Sequence, residues 1–181
     1  MSGAACGGGE GRAAPVVILA VGNPSRGDDA LGPLLLERLR DWLDAAGLHS
    51  DFELIEDFQL QVEHALDLVG RRLALFIDAG QGTPAPFAFQ PVRAGRGSGL
   101  VRHSTHALSP EAVLAVLPRI GESTVPAAFV LAVRGERFEL GEAPSEAARV
   151  HADAAMCLLQ ALCQNPEVEA WEREAYNRHK Y

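Results

Sequence analysis

Cysteine is scarce in this chain, and the few that occur form no recognisable framework. Cys6, Cys157 and Cys163 are the only cysteines among 181 residues, and no two of them have the spacing of a metal finger. A small, odd set of this kind excludes a disulfide-stapled scaffold and predicts a reducing, cytoplasmic compartment. Cys157 and Cys163 fall in the apolar pattern of the last predicted helix, so we expect both in the core.

Long apolar runs and an excess of basic charge are also missing. The apolar runs at 14–21, 73–79 and 126–133 are far shorter than the roughly 20 residues of a membrane span. The N-terminal residues lack the basic and apolar regions of a secretory signal. Sixteen basic residues against twenty-four acidic ones give a net charge of −8, which repels phosphate backbones and anionic membranes. We therefore expect no nucleic-acid partner and no membrane partner.

The ends of the chain are poor in bulky apolar side chains. Residues 1–14 are small and glycine-rich, so we expect a flexible leader outside the fold. Residues 164–181 are polar and charged, and the sequence leaves open whether this tail is loose or forms a short packed helix. Residues 15–163 have the length of one domain, and 48% of the whole chain is hydrophobic. The sequence thus predicts a single globular domain between a leader and a polar tail.

Within the domain, short apolar runs alternate with amphipathic segments. A fully apolar run such as Val16–Val21 is typical of a strand buried on both faces. Phe87–Val92 alternates, as an edge or antiparallel strand does, and Ser109-Pro110-Glu111 has the pattern of a helix start. Further strands are predicted at Phe52–Glu56, Leu73–Ile77 and Ala127–Val133, with helices over 31–46, Gln61–Val69 and from Ser145 onward. The apolar face expected of the second helix includes Val62 and Leu66, and Val150 is among the residues that the last helix is expected to bury. This order predicts an α/β fold, a three-layer α/β/α sandwich with a mostly parallel sheet of about five strands.

Three loops that follow strands carry the polar residues of interest. In open α/β sheets, ligands bind beyond the carboxyl ends of the strands, and there the chain has Asp28 and Asp29, then Asp78, then His103 and His106. Each has an ordinary alternative role. The first aspartate is the natural cap of the first helix, which leaves the second free to face the crevice. The third aspartate could close a turn, and the histidines could simply be solvated.

Two carboxylates and one imidazole are ligands that suit Zn, Ni, Mn or Fe(II), and the residues alone do not choose among these metals. Other features are weaker. Asp57 follows the second strand and is interpreted as a turn residue, while Arg26 and Arg102 are solvated charges or anion-binding groups. The loop from Gly22 to Gly27 matches neither phosphate-binding glycine pattern.

Several motifs, in this order along 15–163, resemble the hydrogenase maturation proteases. These endopeptidases trim the C-terminal extension of [NiFe]-hydrogenase large subunits. The motifs are Val-Gly-Asn-Pro-x-x-Gly-Asp-Asp-x-x-Gly-Pro at 21–33, Asp78-Ala79, Ser104-Thr105-His106-Ala107-Leu108-Ser109-Pro110 and Gly135-Glu136-x-Phe138-x-x-Gly141-Glu142. Gln59-Leu60-Gln61 is more similar to the subgroup that serves soluble or bidirectional hydrogenases. Where the family usually has a glycine-rich segment, this chain has Glu56-Asp57-Phe58-Gln59-Leu60.

The resemblance implies both a site and a substrate. Asp29, Asp78 and His106 match the three metal-contacting positions of the family and would be the catalytic and metal-binding residues. The metal implied is nickel, carried by the [NiFe]-hydrogenase large-subunit precursor, although other divalent metals can occupy such a site. Two alternatives remain at this point. One is a non-catalytic nucleotide-binding module that uses the loop at 22–32, and the other is an assembly chaperone that docks the precursor without cutting it.

Overall fold

The computed structural model describes residues 13–95 and 108–178. The strands are β1 Val16–Val21, β2 Phe52–Asp57, β3 Leu73–Gly80, β4 Phe87–Val92 and β5 Ala127–Arg134. The helices are α1 Leu31–Ala46, α2 His64–Asp67, α3 Pro110–Leu114, α4 Glu146–Gln164 and α5 Val168–Arg178. Short 3₁₀ helices cover Gly27–Ala30, His49–Asp51 and Leu117–Ile120.

The five strands form one sheet in the order β2-β1-β3-β5-β4. The first four of these run parallel, and β4 lies antiparallel to β5 at the edge. The alternating pattern of Phe87–Val92 is thereby explained, since an edge strand with one half-exposed face does not need a continuous apolar run. The predicted strands and the mostly parallel sheet are confirmed.

Helices cover both faces of the sheet and enclose two apolar clusters. One cluster joins alternate strand residues such as Ile18 and Leu131 to α1, α4 and α5. The other joins the intervening residues, such as Leu19 and Val130, to α2 and α3. Because side chains alternate across a sheet, this division shows three layers, as the sequence predicts. None of the helices within 13–95 and 108–178 has the length and apolarity needed to cross a bilayer.

The polar C-terminal stretch contains a packed helix, which answers a question that the sequence left open. Trp171 of α5 is fully buried, and its Nε1 donates a hydrogen bond to the Leu162 carbonyl at 3.0 Å. Its ring meets Phe89 and Phe129 edge-on, with centroids 6.4 and 5.5 Å apart. The helix therefore shares the core of the sheet. The domain boundaries at 15 and 163 stay predictions.

In the region of α2 and on α4, some side chains that we expected to be buried are exposed. We expected Val62 and Leu66 to be buried, but α2 is only one turn long and Val62 lies in the turn before it. Both side chains face outward, with 49% and 65% of their surfaces exposed. On α4, Val150 and Cys157 are exposed while Cys163 is buried. The apolar face of α4 is carried largely by alanines and leucines, so the helix buries its stripe without these two side chains.

Candidate active site

Strand register places polar side chains in one row at the carboxyl edge of the sheet. Val21 at the end of β1 pairs with Asp57 of β2. On its other side the register runs Ala20 to Ile77, so the next residue of β3, Asp78, comes beside Val21. Paired residues of parallel strands point to the same face, and Val21 belongs to the cluster beneath α2 and α3. Asp57 and Asp78 therefore flank the end of β1 on that face.

Asp29 is brought to this edge by a tight loop after β1. Its Oδ2 accepts a hydrogen bond from the backbone N–H of Asn23 at 3.1 Å. Gly22 has a φ of +145°, and a Cβ there would lie 2.0 Å from the Asp29 carbonyl oxygen. Only glycine permits this approach, because no side-chain atom fits at that distance. The glycine thus fixes the direction in which Asp29 leaves the loop.

Asp78 is a carboxyl group that ionises with difficulty. Burial raises its pKa to about 7, and the negative charge of Asp29 raises it as well, against a hydrogen bond from the Ala79 N–H at 2.7 Å. The effect of one charge on the other means that the two carboxylates are within interaction range. A pair of this kind is destabilised at neutral pH unless a proton or a cation lies between the two groups.

The third predicted ligand, His106, lies outside the described residues, as do His103 and Arg102. Its place in the ligand set stays a prediction. In the described ranges no three His, Cys, Asp or Glu side chains form a metal-binding group. The description resumes at Leu108, whose N–H donates a hydrogen bond to the Leu60 carbonyl at 3.2 Å. The next residue, Ser109, caps α3, because its hydroxyl oxygen accepts a hydrogen bond from the Ala112 N–H at 3.2 Å.

Asp28 does not cap the first helix, contrary to our expectation. Neither α1 nor the 3₁₀ helix before it has a side-chain cap. Asp28 is instead fully buried and accepts bonds from the N–H groups of Glu136, Arg137 and Ser145 at 2.7, 3.0 and 2.6 Å. The Ser145 hydroxyl donates to it as well. Burial raises the pKa of this carboxyl, but the hydrogen bonds outweigh burial and hold it below its usual value.

This carboxylate joins the loop after β1 to the segment that leads into α4. Backbone bonds reinforce the junction, from Gly27 N–H to the Glu142 carbonyl at 2.9 Å and from Gly141 N–H to the Ser25 carbonyl at 2.7 Å. The glycine motif at 135–142 is therefore a partner of the loop that carries Asp29. Sequence reasoning found both motifs but gave no indication that they meet.

A second polar cluster, which sequence reasoning missed, lies at the end of β2. Asp57 accepts from the Phe58 N–H at 2.6 Å, and its Oδ2 lies 3.4 Å from Nε2 of the buried His64. The Gln61 N–H donates to His64 Nδ1 at 2.9 Å, so the ring hydrogen of a neutral His64 is on Nε2, facing Asp57. The only sequence signal was an aspartate and a histidine seven residues apart on either side of a turn.

The glycines of the loop after β1 are used for internal packing. A Cβ at Gly27 would lie 2.5 Å from the Arg137 carbonyl oxygen, and one at Gly32 would lie 2.3 Å from that of Val21. These close approaches are to protein backbone, so the glycines are explained without a phosphate. Asp28 and Asp29 add negative charge in the same loop, which disfavours an anionic ligand.

No protein-family model matches the sequence, and no curated protein matches it. Solved structures do match. The [NiFe] hydrogenase maturation protease HycI of Thermococcus kodakarensis is 24% identical, with 84% of this chain and 94% of that chain covered and a TM-score of 0.63. The chain has the fold of the hydrogenase maturation proteases.

Two further structures extend the likeness. The hydrogenase maturating endopeptidase HybD of Escherichia coli is 20% identical, covers 82% of this chain and 92% of its own, and has a TM-score of 0.57. The hydrogenase 2 maturation peptidase of a Thaumarchaeota archaeon is 23% identical, with 81% and 97% covered and a TM-score of 0.54. Almost the whole of each of these maturation proteases is covered, so the likeness concerns their complete fold.

Proposed function

We propose that this protein is an endopeptidase that removes the C-terminal extension of a nickel-loaded [NiFe]-hydrogenase large-subunit precursor. One observation carries the proposal. In a fold shared with maturation proteases, Asp78 lies at the carboxyl edge of the sheet and Asp29 in the loop after β1, and the negative charge of Asp29 contributes to the raised pKa of Asp78. Ligands of open α/β sheets bind at this edge. The motif at 21–33 and the motif ending in Pro110 support the same assignment.

The donor set fits a divalent metal. An ionised Asp78 is unfavourable in its buried place beside Asp29, and a cation bound between the two would offset that cost. His106 would add an imidazole nitrogen, giving three protein ligands and open coordination positions. We assign the metal to the substrate, as nickel held in the precursor. When bound, it would supply Lewis-acid polarisation of the scissile carbonyl or of a water.

The residues of this chain would then position the metal and remove a proton from the attacking water. The Asn23 N–H and the close backbone approach at Gly22 would hold Asp29 in position. Asp28 joins the same loop to the segment that precedes α4. One of the two carboxylates, Asp29 or Asp78, would accept a proton from the attacking water. We place the reaction in the cytoplasm, on the basis of the scarce cysteines, and in the subgroup that serves soluble or bidirectional hydrogenases.

Cleavage of purified precursor tests the proposal and separates it from its alternatives. The protein should shorten nickel-loaded precursor by its C-terminal extension, as read by intact-mass spectrometry. Asp29→Ala, Asp78→Ala and His106→Ala should each abolish cleavage while their melting temperatures stay near or above that of the wild type. His103→Ala is the matched control and should cleave normally. Binding of precursor without cleavage would identify an assembly chaperone, and a nucleotide-dependent rise in melting temperature would identify a nucleotide-binding module.

A further inference from the structure

The segment between β2 and α3 presents an apolar surface beside the candidate site. Phe58, Val62 and Leu66 expose 69%, 49% and 65% of their surfaces, at intervals of four residues. We call these three residues the β2–α2 surface. Large exposed apolar side chains are usually scattered singly, and several in one short segment indicate an interaction site. Elsewhere within 13–95 and 108–178, exposed large apolar side chains include Val150 of α4.

The backbone beneath this surface is firmly held, so its exposure is a stable property. The turns at 61–66 are closed by backbone bonds, including Ala65 N–H to the Val62 carbonyl at 3.1 Å. The inward side is anchored by Ala65 and Leu68, which are buried in the cluster beneath the sheet. His64 is buried as well and faces Asp57. A rigid apolar surface loses little conformational entropy when a partner covers it.

The segment that carries this surface is hydrogen-bonded to the loops next to the candidate site. The Asp57 carbonyl accepts a bond from the Gly22 N–H at 3.1 Å, which joins the start of this segment to the loop that carries Asp29. The Leu60 carbonyl accepts from Leu108. Phe58 therefore directly follows a residue whose backbone is bonded to the loop that carries Asp29.

The charge around the surface indicates the character of its partner. Residues 57–67 contain three acidic residues, Asp57, Glu63 and Asp67, and no Lys or Arg. A second copy of the same chain would bring like charges together across a two-fold interface, which costs free energy. A partner with apolar side chains and neighbouring basic side chains would instead match both the β2–α2 surface and the acidic residues around it.

We propose that the β2–α2 surface is the docking site for an apolar, basic segment of the hydrogenase precursor, which it leads towards Asp29 and Asp78. The proposal rests on the proposed function for the identity of the partner. It assigns to Phe58, Val62 and Leu66 a role in binding only, without a part in the bond-breaking step.

Steady-state cleavage of nickel-loaded precursor by polar variants tests this role. Phe58→Gln combined with Leu66→Gln should raise KM tenfold or more and leave kcat within about twofold, because the lost contacts are made equally before and during the reaction. Val150→Gln, a similar change on the opposite layer, should leave both constants unchanged. Glu63→Gln should raise KM at low salt and lose this effect at high salt. Equal melting temperatures establish that each variant is folded.

The outcomes separate this inference from the proposed function. An unchanged KM in the double variant overturns the docking role and leaves the protease assignment standing. If the wild type cleaves no precursor, the protease assignment fails. A binding titration with the same precursor then tests whether the β2–α2 surface binds it. Binding by the wild type that is lost in the double variant supports the surface, and no binding overturns it. The docking role is also overturned if analytical ultracentrifugation shows that the wild type is a dimer and the double variant a monomer.

Discussion

Asparagine in place of Asp78 should stabilise the metal-free protein, by an amount that depends on pH. Asparagine keeps the carbonyl oxygen that accepts from the Ala79 N–H and removes the ionisable group. In the folded chain, burial raises the pKa of Asp78 from 3.8 to about 7. Between these values the folded state binds a proton that the unfolded chain has released. The stability that this proton contributes is complete below about pH 4 and is lost as the pH rises to 7.

The size of the effect follows from the difference between the two pKa values. About three units at 1.36 kcal/mol each give an upper limit of about 4 kcal/mol. Asp78 keeps part of its surface in contact with solvent, so screening reduces this to about 2–3 kcal/mol. For a protein of this length that corresponds to a rise of roughly 5–10 °C in melting temperature.

Urea unfolding of both proteins from pH 4.5 to pH 8, in the presence of a chelator, measures the difference directly. The difference between the two free energies of unfolding should be smallest at pH 4.5, grow steadily as the pH rises to about 7 and stay constant above that, with Asp78→Asn the more stable. Titration of all other groups cancels in the difference. A constant difference across the whole range, or a less stable variant at pH 8, would refute the account of this carboxyl group.

Three further predictions concern the parts that support the site. Asp28→Asn should destabilise the protein by about 2–4 kcal/mol at pH 7, because an amide NH₂ would face backbone donors. Since the pKa of Asp28 is held below 3.8, the loss should shrink only below that pH, and thermal melts at pH 7 and at about pH 3 check both statements. Trp171→Ala should lower the free energy of unfolding, measured by urea titration, by about 3–5 kcal/mol. A loss below about 1 kcal/mol would mean that α5 is dispensable to the core. Gly22→Ala should abolish precursor cleavage, since its Cβ would lie 2.0 Å from a carbonyl oxygen, whereas Gly82→Ala, which meets no atom within 4 Å, should cleave like the wild type.

Much of the fold can be predicted from the sequence because its strands are short apolar runs. A run such as Val16–Val21 has no polar residue to expose, so it fits only a position buried on both faces. The alternation in Phe87–Val92 likewise predicted its edge position. Once a parallel sheet is assumed, the residues that follow each strand must share an edge. That step was enough to predict that Asp29 and Asp78 lie at a common edge.

The errors have a common physical origin in contacts between residues distant in sequence. Asp28 looked like a helix cap because a cap is the local role of an aspartate at that place, but its partners lie 108 to 117 residues away. Val62 and Leu66 looked like a core face because helical spacing is shared by buried and docking surfaces. Whether such a face is buried or exposed depends on the length of α2 and on which elements pack against it. The spacing of apolar residues contains neither piece of information.

The dependence of cleavage on nickel tests the central claim most directly. Matched preparations of one hydrogenase large-subunit precursor, with and without nickel, are incubated with the wild-type protein and analysed by intact-mass spectrometry. Our account predicts loss of the C-terminal extension from the nickel-loaded precursor alone, and no loss from either preparation with Asp78→Ala. Equal cleavage of nickel-free precursor would contradict the assignment of Asp29, Asp78 and His106 as groups that recognise the metal.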